Sequence, residues 1–117
     1  MPRTVEFYRT GEGRCPIEEF LTNLDTKEAQ KVLWVFRLIE RVERVPAIYF
    51  KKLVGTDIWE CRISVHRGIY RAFGFFILDD RLVLTHAYLK KSRKTDPREI
   101  QRANRYRDDY MEREGKR

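Results

Sequence analysis

Ile58-Trp59-Glu60-Cys61-Arg62-Ile63-Ser64-Val65 is the stretch on which the fold of this chain turns. Trp59, Cys61, Ile63 and Val65 share one parity, and Glu60, Arg62 and Ser64 share the other. Period two is the signature of a strand, here with one dry face and one charged face. Residues 49–54 precede this strand, and residues 69–78 and 82–89 follow it, each rich in aromatic and β-branched side chains. Gly55-Thr56-Asp57, His66-Arg67-Gly68 and Asp79-Asp80-Arg81 connect them through turn residues. Tight connections of this kind predict four consecutive strands paired as an antiparallel meander. Residues 69–78 are apolar on both parities apart from Arg71, which predicts an interior strand covered on both faces.

Working outward, residues 3–10 read as a further strand, with Val5 and Phe7 alternating against Thr4, Glu6 and Tyr8, and Gly11-Glu12-Gly13 turning the chain. Pro16 sits where a helix begins, and Glu18 and Glu19 favour its positive end, so a short helix is predicted through Leu24. Asp25 or Thr26 caps a longer helix, in which Ala29, Val32, Val35, Phe36, Ile39 and Val42 recur at helical spacing until Pro46. Asp96-Pro97 opens a last helix to about Glu114, with Ile100, Ala103, Tyr106 and Tyr110 as its apolar face. The expected fold is α+β. A single domain over residues 1–117 holds an antiparallel sheet, made of the N-terminal strand and the meander, packed by an N-terminal helical hairpin and joined by a C-terminal helix.

Composition narrows the function. Of 117 residues, 42% are hydrophobic, enough to offset the ordering entropy of one compact domain. Against 18 acids stand 25 cations, 17 of them Arg, leaving a formal charge of +7. Arginine's planar fork suits phosphate, so the balance points to a polyanionic partner. The longest uncharged runs, 72–78 and 82–89, are too short to span a bilayer, and no apolar core of signal-peptide length opens the chain. A cytoplasmic protein without membrane association is expected. Cys15 and Cys61 are too far apart for a metal-knuckle spacing and read as free thiols or core fillers.

The strongest local signal is Lys90-Lys91-Ser92-Arg93-Lys94, where a strand ends in four cations among five residues. Their mutual repulsion is rewarded by a phosphate chain; the alternative is a solvated charge run. Arg62 and Arg71 lie inside predicted strands, where a charged side chain needs a partner: a ligand, or else Glu60 or an acid of the last helix. Of Lys51 and Lys52, alternation sends only one inward, and the pattern does not say which. Tyr88 and Tyr106 are candidates to stack a splayed base, with core packing favoured for Tyr106. His66 falls in a turn. His86, in mid-strand, reads as a hydrogen-bonded, half-buried side chain rather than a general base. Two isolated histidines make a zinc or two-metal site improbable, and no phosphate loop, dinucleotide fingerprint or nucleophile elbow is present, so no metal or cofactor is expected. RNA carries its own nucleophile in the 2′-hydroxyl. Its cleavage needs only a base, cations on the phosphorane and an acid for the leaving oxygen.

Phe50-Lys51-Lys52-Leu53, Ile58-Trp59-Glu60-Cys61-Arg62-Ile63, Gly68-Ile69-Tyr70-Arg71, Leu84-Thr85-His86-Ala87-Tyr88-Leu89-Lys90-Lys91 and Lys94-Thr95-Asp96-Pro97 follow one another in an order that resembles the phage-derived branch of RelE/HigB-type toxins. Ile17-Glu18-Glu19-Phe20-Leu21 is similar to the start of that family's helical hairpin. The resemblance implies the toxin of a type II toxin–antitoxin pair, an endoribonuclease that enters the ribosomal A site and cuts mRNA without metal. Its implied partners are that mRNA and a cognate antitoxin, often a helix-turn-helix protein. By the same matching, Arg71 and Lys91 stabilise the phosphorane, and Arg62 or Lys52 removes the proton. Lys90 and Lys94, with Arg93 and Tyr88, hold flanking phosphates, bases or ribosomal RNA. This chain departs from the pattern at Gly74, where relatives often carry an aromatic residue, and at Val45-Pro46, where a glycine usually closes the hairpin. Competing readings keep the fold and change the target: a ParE-like DNA gyrase inhibitor, or a catalytically silent RNA- or ribosome-binding module. The nuclease reading requires Arg62, Arg71 and Lys91 to converge on one electropositive hollow, neither pointing apart nor each tied up by an acid.

Overall fold

A computed structural model describes residues 3–90 and 94–114. Among them run β1 (Thr4–Phe7), α1 (Pro16–Thr22), α2 (Thr26–Arg41), β2 (Phe50–Lys52), β3 (Trp59–Val65), β4 (Gly68–Ile77), β5 (Arg81–Lys90) and α3 (Pro97–Glu114). The α+β architecture is as expected, and β2 to β5 form the antiparallel meander. One expectation needs correcting. The sheet, ordered β1-β5-β4-β3-β2, is mixed, because β1 lies parallel to β5 rather than antiparallel. Thr4 aligns with Arg81 and Phe7 with Leu84, and the register is held by the Thr4 N–H on the Asp80 carbonyl (2.8 Å) and by Arg81 Nε on Glu6 Oε2 (2.6 Å). Alternation reports which side chains are dry and carries no information about strand direction.

Several elements stop short of their predicted ends because the backbone finds other partners. β1 ends at Phe7, and Thr10 and Arg14 then close their own turn, the Thr10 N–H donating to the Arg14 carbonyl at 2.8 Å. β2 ends at Lys52, and the Leu53 N–H turns to the Ile58 carbonyl (2.9 Å). Of the two candidate caps for α2 the structure selects Asp25, whose carboxylate accepts from the Glu28 N–H at 2.8 Å. α2 ends at Arg41, before Val42. Its last carbonyls are satisfied by Arg3, whose Nη1 donates to Ile39 O (2.9 Å) and Val42 O (2.7 Å). A guanidinium from the N-terminus thus does at this helix end what a glycine cap does elsewhere.

The sheet buries both faces. Against α1 and α2 it packs Cys61, Ile63, Tyr70, Ala72, Leu82 and Leu84 with Ile17, Val32, Val35, Phe36 and Ile39. Against α3 it packs Ile58, Phe73, Phe75 and Val83 with Ala103, Ile100, Tyr106 and Tyr110. β5 changes phase between these faces. Phe73 aligns with His86 and Gly74 with Leu84, which leaves Thr85 as an extra residue, a β-bulge. Leu82 and Leu84 face the hairpin before it, and Ala87 and Leu89 after it, so His86 and Tyr88 are carried to the α3 side. The buried Thr85 hydroxyl donates to the Phe73 carbonyl at 3.2 Å and ties the bulge to β4.

Gly74 stands beside the bulge for a steric reason. A Cβ there would lie 2.8 Å from the Val83 carbonyl oxygen and 2.9 Å from Leu84 Cδ2, on the hairpin side. An aromatic residue at this position would enter that core and not the charged face. Gly74→Ala is expected to lower the unfolding free energy by about 2 kcal/mol through overpacking, read from urea unfolding.

Candidate nucleic-acid interface

The register sets charged residues in rows across the α3 side of the sheet. Lys51, Glu60, Phe73 and His86 align across β2, β3, β4 and β5; Arg62, Arg71 and Tyr88 align across β3, β4 and β5; Ser64, Ile69 and Lys90 form the next row. Two arginines directly opposite one another repel. Glu60, 1% exposed, lies between them: Arg71 Nη1 donates to Glu60 Oε2, and Arg62 Nε lies 3.5 Å from Oε1. Both guanidinium groups therefore lean on an acid, which goes against the condition set for the nuclease reading, although they share one carboxylate instead of holding one each; the Lys91 part of that condition lies outside the described residues. One carboxylate serves two of them, so a unit of positive charge remains, and Lys51 and Lys90 add to it on the same side.

The electrostatics follow from this crowding. Lys90 is buried, and burial lowers its pKa first, with Arg71 next and Arg62 and Lys51 adding, against the opposing pull of Glu60. Burial pushes the Tyr88 hydroxyl up to about 12, so it remains a proton donor at neutral pH. Among the described residues, Arg62 Nε, Arg71 Nε, Glu60 Oε1 and the Tyr88 hydroxyl have no hydrogen-bond partner. Buried donors left in this state are stabilised by an acceptor, and phosphate oxygens supply several at once.

Beside the cluster, His86 is 1% exposed, ringed by Phe73, Tyr88 and Tyr106. Glu99 Oε1 lies 3.2 Å from its Nε2, yet burial, then Arg102 and Arg105, outweigh that carboxylate and push the pKa down to about 3. The ring is neutral, with Nε2–H donating to Glu99 and Nδ1 3.1 Å from the Thr85 hydroxyl. It is a structural link between β5 and α3, more deeply buried than its sequence context implied.

Of the residues singled out above, the structure brings Arg62, Arg71, Tyr88 and Lys90 onto one side of the sheet. Lys52 is not among them: it aligns with Trp59, on the opposite parity from Glu60, and its ammonium is 4.0 Å from Asp57 Oδ1. Lys51 is the lysine of β2 that lies on this side, in line with Glu60. Lys94 is exposed just ahead of α3. Lys91 and Arg93 lie outside the described residues. The bulge at Thr85 escaped the sequence reading, whereas Glu60 had been named as an alternative partner of the arginines and Lys51 left level with Lys52. The bulge had left a trace, since the hairpin-facing residues Leu82, Leu84, Ala87 and Leu89 are spaced two, three and two apart.

Among the described residues, no group of three or more His, Cys, Asp or Glu side chains is placed to hold a metal ion, and no helix is long and apolar enough to cross a membrane. A family model described as "Phage derived protein Gp49-like (DUF891)" matches residues 19–108, more than half of the chain. No curated protein matches it.

Proposed function

Because the chain belongs to the Gp49-like family of phage-derived proteins, related to RelE/HigB-type toxins, we propose that it is the toxin of a type II toxin–antitoxin pair and a metal-independent endoribonuclease acting on ribosome-bound mRNA. The observation that carries this reading is the Arg62–Arg71–Tyr88 row, with Lys90 beside it and several buried polar atoms that lack partners among the described residues. In the proposed reaction the RNA 2′-hydroxyl attacks the adjacent phosphorus. Arg71 and Arg62, steadied by Glu60, receive the charge that develops on the phosphorane, with Lys91 assisting. Lys90 is the amine on this face whose charged form burial disfavours, which suits it to take the 2′-hydroxyl proton. As the bond from phosphorus to the 5′-oxygen breaks, the Tyr88 phenol gives that leaving oxygen its proton and a 2′,3′-cyclic phosphate remains, while Lys94 and Arg93 serve flanking phosphates. The protein acts in the cytoplasm and is silenced by an antitoxin, a helix-turn-helix protein in this reading.

Primer extension on a translated message in expressing cells tests the proposal. Cuts within ribosome-occupied codons are expected. Intact message with DNA damage would favour gyrase as the target instead, and intact message without it a silent binding module. Arg62→Gln leaves the Glu60–Arg71 pair in place, and the Arg62 side chain is 29% exposed. This substitution is expected to slow cleavage about 100-fold, with a thermal midpoint within about 4 °C of the unsubstituted chain.

A further inference from the structure

The charges of α3 are segregated along its length. Residues 98–107 hold Arg98, Arg102, Arg105 and Arg107 against Glu99, whereas residues 108–114 hold Asp108, Asp109, Glu112 and Glu114 against Arg113. A helix macrodipole favours acids at the N-terminal end and cations at the C-terminal end. The dipole acts only within the terminal turns, where Glu99 and Arg113 already suit it, so the placement of Arg102 and Arg105 answers to something other than the dipole.

Arg98, Arg102 and Arg105 stand at i, i+4 and i+7 and form one stripe. The stripe flanks the face by which Ile100, Ala103, Tyr106 and Tyr110 meet the sheet. Arg107 is turned elsewhere, 3.4 Å from Asp57. Arg98 is 88% exposed, and Arg105 is exposed. The Arg102 guanidinium lies over the Tyr106 ring, 5.5 Å from its centroid, with Nε donating to the hydroxyl at 3.2 Å. Three acids bear on the stripe: Asp96, 3.0 Å from Arg98; Glu99, 3.9 Å from Arg102 and already engaged by His86; and Glu19 of α1, whose charge acts on Arg102. With Lys94 next to them, the cations outnumber these acids. Arg102 and Arg105 both bear on the His86 ring, which precedes Tyr88 by two residues on the same side of β5. The stripe thus runs beside the Arg62–Arg71–Tyr88 row.

We propose that Arg98, Arg102 and Arg105 form a second phosphate-binding track, continuous with the cationic row, that grips the RNA backbone away from the bond being cut. From first to last the stripe spans about 10 Å of helix axis, a length suited to a run of backbone and not to a single phosphate. The choice of RNA as occupant rests on the nuclease reading.

The test uses the full chain and a short, labelled 2′-O-methyl oligouridylate, which cannot be cleaved, with affinity measured from about 50 to 200 mM salt. Each backbone contact contributes about 0.7 to the slope of log affinity against log salt. The triple variant R98Q/R102Q/R105Q is expected to flatten that slope by about 2 while leaving the thermal midpoint within about 4 °C, because ion pairs of exposed arginines contribute little to stability. A merely structural role would lower the midpoint and leave the slope alone, and that result overturns the proposal. So does polyglutamate that competes for the stripe as well as RNA does, which would make an acidic protein segment the occupant. An unchanged slope in the triple variant, with cleavage still lost in Arg62→Gln, removes the track and leaves the nuclease reading standing. Absence of RNA binding by the unsubstituted chain removes the track, and the primer extension above then decides the nuclease reading by itself.

Discussion

Replacing Glu60 with alanine is expected to destabilise the fold by about 3–5 kcal/mol, and Arg71→Ala by a similar amount, because each change strands the other charge inside the protein. Glu60 is 1% exposed and Arg71 6%, and they are hydrogen-bonded to one another between the sheet and its charged side. Arg62 cannot rescue a lone Glu60 fully, since its Nε lies at 3.5 Å without a hydrogen bond and the side chain is partly solvated. The pair itself adds little net stability, because removing two ions from water offsets most of their attraction. Glu60→Leu combined with Arg71→Met is therefore expected to recover most or all of the loss in urea unfolding. On the proposed nuclease reading the double variant is expected to stay unable to cleave RNA, because the Arg71 guanidinium assigned to the phosphorane is gone. Stability that tracks the charge pair while cleavage tracks Arg71 is the expected pattern. Two single variants as stable as the starting protein would show that the pair is not buried in solution, and the geometry argued for the site would go with it.

Acidification is the second large effect. His86 has a folded-state pKa of about 3 against 6.5 when unfolded, so between these values the unfolded chain binds a proton that the folded chain refuses. Stability is then complete above pH 6.5, falls by about 1.4 kcal/mol for each pH unit below it, and levels off near pH 3 after a loss of roughly 4–5 kcal/mol. His86→Gln keeps a hydrogen-bonding side chain and removes the titration. The variant is expected to be less stable than its parent at pH 7 and to close that gap as the pH falls toward 4. Taking the difference between the two curves cancels the carboxylates common to both. Parallel curves from pH 7 to pH 4 would mean that His86 is protonated, or solvated, in the folded state. The consequence reaches the site, since His86 joins β5 to Glu99 of α3 directly beside Tyr88.

The sequence by itself determined the elements and their dry faces. Alternation in 58–65, the glycines and acids of the turns, Pro16, Asp25 and the Asp96-Pro97 start are local signals, each acting over a few residues through backbone sterics or a single hydrogen bond. Motif order over most of the chain was legible too, and it pointed to RelE/HigB-type toxins, to which the Gp49-like family matched over residues 19–108 is related. Tertiary structure alone decided the direction of β1, the choice of Lys51 over Lys52, the capture of both arginines by Glu60 and the transfer of Tyr88 across the sheet at Thr85. These depend on register, direction and a one-residue slip between segments far apart in the chain. Parity within a strand is set by its own backbone, whereas the neighbour that each side chain meets is set by packing, where a shift of one residue exchanges the two faces.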